Sequence, residues 1–131
     1  MECFRLTGVR CLTVMDDVSK YTQYLGKKIN VQIDRPKGSL HPRLNFLYET
    51  NYGFIPGTLA GDGHEIDAYV LNQDEALSNF EGKCIAVVVR KDDEEHKLIV
   101  ADSDLTRDQI VAETKFVEGY YDTEIILAQD C

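Results

Sequence analysis

Asn51-Tyr-Gly-Phe-Ile-Pro-Gly-Thr-Leu-Ala-Gly-Asp-Gly-His-Glu-Ile-Asp-Ala-Tyr-Val-Leu71 is the stretch from which the rest of the chain is read. Four glycines and a proline fall between Asn51 and Gly63. That density marks a tightly turning backbone that lets a ligand approach closely. Asp62 and Asp67 bracket the turn Gly63-His64-Glu65, and residues 66–71 have the apolar, β-branched and aromatic character of a strand entering a core. Hard divalent cations such as Mg2+ take oxygen ligands and keep several waters, so two aspartates held by one turn suit a cation that also touches phosphate. The bland alternative is a glycine-rich loop in which Asp62 makes its own turn hydrogen bonds.

Outward from this stretch, the periodicities describe a small mixed β protein. Residues 28–34 alternate Ile29, Val31 and Ile33 against polar positions, the pattern of a half-buried strand. Residues 83–90 are a near-continuous apolar run, which predicts a central strand buried on both faces. Residues 98–101 return as its hairpin partner. Between them, Asp92, Asp93, Glu94 and Glu95 repel one another; they are either a solvated tip or a cluster that a divalent metal would relieve. Thr106-Arg-Asp-Gln109 is a capping box that starts a helix running to about residue 120, with Ile110, Thr114, Val117, Tyr120 and Tyr121 on its packed face. Residues 123–128 are a last short strand or an extended tail, and 72–82 a polar connector.

Before this core, residues 16–25 carry Val18, Tyr21, Tyr24 and Leu25 at helical spacing. Residues 1–27 are therefore expected to be an extension packed on a domain spanning 28–131. Residues 35–43 hold two prolines, a glycine and four basic or potentially basic side chains. A basic loop in an acidic protein is either solvated surface or an anion contact.

Composition limits the function. The chain has 131 residues, 44% hydrophobic and 28% charged, enough for one domain with a true core. Its net charge of −9 repels a nucleic-acid backbone, so no nucleic-acid partner is expected. A small anionic substrate remains compatible, because bound metal reverses the potential locally. The four cysteines have no metal-ligand spacing and read as reduced thiols. No run approaches the roughly 18 apolar residues of a membrane span, and no signal-peptide core stands at the N-terminus. A cytoplasmic protein with no membrane partner is the expectation.

Asn51-Tyr-Gly-Phe-Ile-Pro-Gly-Thr followed by Asp62-Gly-His-Glu-Ile-Asp67 resembles the core of the soluble, Mg2+-dependent family I inorganic pyrophosphatases. The resemblance runs from about residue 28 to 122, beginning with Asp34-Arg35-Pro36. It implies an α+β, mainly β fold: an OB-like five-stranded β-barrel with a packed C-terminal helix and a site in the barrel's mouth. It implies metal ligation by Asp62, Asp67, Asp92 and Glu95, and phosphate binding by Arg43, Tyr52, Lys97 and Tyr120. The implied reaction is hydrolysis of inorganic pyrophosphate, with Asp67, His64 and Tyr52 at its centre. Such enzymes commonly assemble as homo-oligomers.

Two departures bear on that reading. His64 stands where the family has an aspartate thought to help deprotonate the attacking water. With an unperturbed pKa near 6.5, a histidine could take the proton, favour a softer metal such as Mn2+, or be a solvated loop residue. Tyr121 replaces the family's lysine after the helix tyrosine. Hydrolysis of another small phosphoanhydride, or phosphate and metal binding without turnover, are the alternatives these departures leave.

Overall fold

Alternating apolar residues become strands only if each apolar face finds a partner, and here one long strand supplies most of the partners. The computed structural model describes residues 15–59, 64–91 and 95–128. Its elements are α1 (Met15–Thr22), β1 (Lys28–Arg35), β2 (Asn51–Ile55), β3 (Ile66–Val70), β4 (Asn79–Arg90), β5 (Lys97–Ala101), α2 (Arg107–Glu118) and β6 (Thr123–Leu127). The apolar run predicted over 83–90 forms the buried part of β4, which spans 12 residues. Its first half pairs with β1, from Gln32↔Asn79 to Lys28↔Lys83, and its second half with β6, from Ala86↔Leu127 to Arg90↔Thr123. Along its other edge lies β5.

The sheet runs β1-β2-β3-β5-β4-β6, and the extra β1–β4 pairing closes the first five into a barrel. The pairing of β3 with β5 is parallel, the others antiparallel. The fold is α+β and mainly β, an OB-like five-stranded barrel with α2 packed outside it.

The pleat sorts the core into two faces. Val31, Ile33, Ile55, Ile66, Ala68, Val70, Cys84, Val87, Leu98 and Val100 come from all five barrel strands and fill the interior, joined by Val18 and Tyr21 of α1. Tyr69, Leu71, Ile85, Ala86, Val88, Ile99 and Ala101 face outward and are covered by Leu105, Ile110 of α2 and Ile125 and Leu127 of β6. A bulge between Cys84 and Ala86 puts Ile85 and Ala86 together on the outer face. At the start of α2 the predicted capping box is present: Thr106 Oγ1 accepts from Gln109 N–H at 3.1 Å, and Gln109 Oε1 accepts from Thr106 N–H at 2.8 Å.

Three expectations are corrected. Asn51–Ile55 is a strand rather than part of a turn, and it is the barrel strand that periodicity does not show. β4 begins at Asn79, inside the segment read as a connector, because β1 pairs with it there. The buried face of α2 is Ile110, Thr114 and Glu118, whereas Tyr120 is 85% exposed.

Gly53 explains why β2 escapes a propensity reading. β1 is irregular between Ile33, which pairs with Gly53, and Arg35, which pairs with Tyr52. A Cβ on Gly53 would fall onto the carbonyl oxygen of Gln32 and the Cα of Ile33. Only glycine lets the two backbones approach this closely. Asn51, fully buried, braces the same strand: its Oδ1 accepts from Lys37 and Leu77 N–H at 2.9 and 3.0 Å, and its Nδ2 donates to Glu75 O at 2.9 Å.

Two stability measurements check this packing. Gly53→Ala should lower the unfolding free energy by roughly 1–3 kcal/mol, read from urea denaturation. Burial pushes the Cys84 thiol up to about 12. Peptide mapping after iodoacetamide at pH 8 should therefore find Cys84 unmodified in the folded protein and alkylated in denaturant.

Candidate active site

Strand register brings three of the predicted site residues together. Asp67 on β3 pairs with Lys97 on β5, and Tyr52 on β2 pairs with Tyr69. Asp67 and Tyr69 are two residues apart, so Tyr52 and Asp67 are diagonal neighbours on one face. Tyr52 Oη donates to Asp67 Oδ2 at 2.7 Å and accepts from Lys97 Nζ at 2.7 Å. Lys97 Nζ lies 3.7 Å from Asp67 Oδ2 and 4.0 Å from Glu95 Oε1. Tyr52 packs against the outward-facing cluster, so this constellation stands on the outer face of the barrel wall. The resemblance had implied the mouth; the parity of Asp67, Tyr69 and Lys97 along their strands puts the site outside, beside α2.

Burial sets the electrostatics. Lys97 is 4% exposed, and desolvation lowers its pKa, with Arg90 adding to the shift and Asp67, Glu118 and Glu95 opposing it. Desolvation, followed by the charge of Asp67, raises the Tyr52 phenol well above its ordinary value. Tyr52 therefore remains a neutral hydroxyl that relays a hydrogen bond between an ammonium and a carboxylate. Asp67 and Glu95 keep their outer surfaces in solvent, with side chains 41% and 51% exposed.

Sequence reading missed the second cation. Arg90, at the end of β4, is as buried as Lys97. Its Nε and Nη2 donate to Glu118 Oε1 and Oε2 at 2.9 and 3.2 Å, and its Nη1 lies 3.6 Å from Glu95 Oε1. Tyr69 Oη donates to Glu118 Oε2 at 2.6 Å, and the ring of Tyr121 lies 3.7 Å from the guanidinium carbon. This joint ties the last turn of α2 to the barrel. The signal for it was Glu118 at the helical spacing of Ile110 and Thr114, which the periodicity passed over because the residue is charged. His96, next to Glu95, is held on both sides: its Nδ1 accepts from Arg90 N–H at 3.0 Å, and its ring meets Tyr21 of α1 edge-on at 5.1 Å.

The irregularity in β1 contributes Asp34, the extra residue between Ile33 and Arg35. Bulges re-aim side chains beside active sites. Partial burial raises the Asp34 carboxyl, Arg35 opposes the shift, and the charge of Asp67 adds to it. Asp34 thus belongs to the same negative field as Asp67.

From β1 the chain enters a narrow loop over residues 36–49, closed by the Leu40↔Leu47 bridge. Tyr48 N–H donates to Ser39 O and His41 N–H to Phe46 O, each at 2.8 Å. The imidazole of His41 is fixed as well, because Nδ1 accepts from the N–H groups of Arg43 and Leu44 at 3.1 and 2.9 Å. The loop holds His41, Phe46 and Tyr48 in mutual ring contact, with Phe116 of α2 against Phe46 and Tyr48. Between loop and helix lies a cleft of about 510 Å³, lined by these rings and by Tyr52, Arg90, Glu95 and Lys97.

The remaining expected residues fall as follows. Tyr120 stands at the rim of this cleft. Arg43 is exposed in the loop, outside the residues that line the cleft. His64 is exposed just before β3. Asp62 and Asp92 lie outside the described residues. Among the described residues no three His, Cys, Asp or Glu side chains are grouped to hold a metal. The donor chemistry nevertheless fits a hard cation: Asp67 and Glu95, on either side of Lys97, are oxygen donors whose side chains stay 41% and 51% exposed.

A family model described as inorganic pyrophosphatase matches residues 21–126. The chain belongs to the inorganic pyrophosphatase family. Inorganic pyrophosphatases from two Helicobacter pylori strains are each 28% identical, over 86% of this chain and 75% of their own. The crystal structure of inorganic pyrophosphatase from Ehrlichia chaffeensis aligns with a TM-score of 0.63 at 22% identity, covering 80% of this chain and 88% of that one. The one from Neisseria gonorrhoeae gives 0.57 at 23%, covering 84% and 91%. At these identities the solved structures share the pyrophosphatase fold.

The Arg90–Glu118 joint can be tested by stability. Glu118→Ala should cost about 3–5 kcal/mol, because it removes the buried partner of a buried guanidinium and leaves it the half-exposed Glu95. Arg90→Met combined with Glu118→Leu should cost less than that single change, read from urea denaturation midpoints.

Proposed function

We infer that this chain hydrolyses inorganic pyrophosphate to two phosphates in a divalent-metal-dependent reaction, and that Mg2+ is the metal. Family membership supports the activity, and the observation that carries it to a site is the cation pair Lys97 and Arg90 buried in one cleft beside Tyr52. Buried cations in a cleft bind a compact polyanion better than water-exposed ones do, since the low dielectric strengthens each contact.

Asp67 and Glu95, with Asp62 and Asp92, would hold the metal. When bound, the cation neutralises phosphate charge and lowers the pKa of the attacking water. Lys97 would hold one phosphate by charge-assisted hydrogen bonds, and Arg43 and Tyr120 would reach the other from the loop and from the end of α2. Tyr52 stays a phenol, so its role would be to orient Asp67 and Lys97 and to hydrogen-bond phosphate oxygen. Water attacks one phosphorus, the bond from that phosphorus to the bridging oxygen breaks, and the second phosphate departs with that oxygen. His64, exposed at the entry to β3, is the proposed acceptor of the water's proton and the reason Mn2+ would also serve.

The same proposal covers the setting. Residues 1–27 would be an extension on the barrel domain 28–131, and Val18 and Tyr21 in the barrel core support this. No described helix is long and apolar enough to cross a membrane. A cytoplasmic protein without membrane or nucleic-acid partners, assembling as a homo-oligomer, completes the reading; the net charge of −9 supports the exclusion of nucleic acid.

Phosphate release from pyrophosphate should require Mg2+ or Mn2+ and stop with chelator. Asp67→Asn should lose at least about a hundredfold in turnover while its far-ultraviolet circular dichroism is unchanged. Full activity in that variant would overturn the assignment of Asp67.

A further inference from the structure

Pyrophosphate contains no carbon, yet half of the cleft wall is ring and hydrocarbon. His41, Phe46 and Phe116 are only partly buried there, and Leu44 and Tyr120 are 69% and 85% exposed on opposite rims. Tyr48, which is buried, joins the loop to α2 through Phe116, as Phe46 does. The other rings leave apolar surface open toward the site, continuous with Lys97 and Arg90. A cleft of about 510 Å³ also falls within the range of sites that enclose an organic ligand, roughly 300–1,000 Å³. The rings are preorganised, since His41 and Phe46 are bound to each other through the backbone and the His41 imidazole is fixed by two amides.

Resting on the phosphoanhydride reading of this site, we propose that its substrates include nucleoside 5′-diphosphates, with the diphosphate at Lys97 and Tyr52 and the base against His41, Phe46 and Leu44. A flat aromatic base offers the rings a stacking partner, and the ribose would join it to the diphosphate. The reaction is the one already described with an organic leaving group. Water attacks the terminal phosphorus, and the bond from that phosphorus to the bridging oxygen breaks. A nucleoside monophosphate leaves with that oxygen, inorganic phosphate forms, and one proton passes to solvent. Neither oxidant nor second substrate is needed.

The experiment is isothermal titration of the full chain with Mg2+, using α,β-methylene-ADP and methylenediphosphonate as uncleavable probes. The nucleoside probe should bind at least about tenfold more tightly, the order of affinity that base–aromatic stacking supplies. Leu44→Ser and Phe46→Ala should each erase most of that preference while leaving methylenediphosphonate affinity and pyrophosphate turnover within about twofold of wild type. Equal or weaker binding of the nucleoside probe overturns the proposal, as does a preference that survives both substitutions. A wild-type protein that fails to release phosphate from pyrophosphate but prefers the nucleoside probe would sink the pyrophosphatase reading and leave this one standing.

Discussion

Lys97 is the constraint around which the wall of the barrel is arranged. An ammonium that is 4% exposed persists in its charged form only if nearby groups replace the water it has lost. Strand order provides those groups. β3 lies beside β5 in parallel register, which puts Asp67 next to Lys97, and β2 lies beyond it with Tyr52 on the same face. An antiparallel β3–β5 pair would need a different connection and a different register. The crossover that makes the pair parallel is β4, whose length also closes the barrel and carries Arg90 into the same cleft, where it and Lys97 both lie within 4.0 Å of Glu95 Oε1.

Tyr52 shows how the surrounding fold fixes a side chain of the cleft from the backbone. Its position depends on Gly53, the next residue, because the close approach of β1 and β2 there allows the irregularity that places Asp34 in the field of Asp67. A side chain at Gly53 would push the strands apart. The glycine in the Asn-Tyr-Gly motif therefore acts through the backbone.

The strands with clear period or continuous apolar content were legible: β1, β3, β4 and β5 follow from Ile29 to Ile33, Ile66 to Leu71, Cys84 to Val89 and Leu98 to Ala101. Thr106 and Gln109 fixed the start of α2 to the residue, since a capping box is a local interaction that needs no tertiary context. β2 was hidden because its glycine and asparagine have low strand propensity, and both are present for long-range reasons. The site divides in the same way. Tyr52, Asp67 and Lys97 gather because they sit on paired strands, and Glu95 lies two residues before Lys97, within 4.0 Å of its ammonium. Arg90 and Glu118 lie 28 positions apart and meet only through packing, and no window of sequence contains both. The loop rings were hidden likewise, since residues 35–43 are conspicuous for charge rather than for His41 and their contact with Phe46.

The choice of an ion pair for the α2 joint still needs a physical reason, because apolar residues would hold the helix at least as well. Desolvating a guanidinium and a carboxylate offsets much of their attraction, and such pairs are weak evidence for stability. What an apolar contact lacks is direction. The two-nitrogen fork from Arg90 to Glu118, with Tyr69 donating to the same carboxylate, fixes both the rotation and the depth of the helix end. Tyr120 and Tyr121 follow two and three residues after Glu118, and Arg90 Nη1 itself lies 3.6 Å from Glu95 Oε1. Helix position, rim aromatics and one site carboxylate are thereby referred to a single buried group. A site that must place charges and rings on two separate elements gains from that geometry what it forgoes in stability.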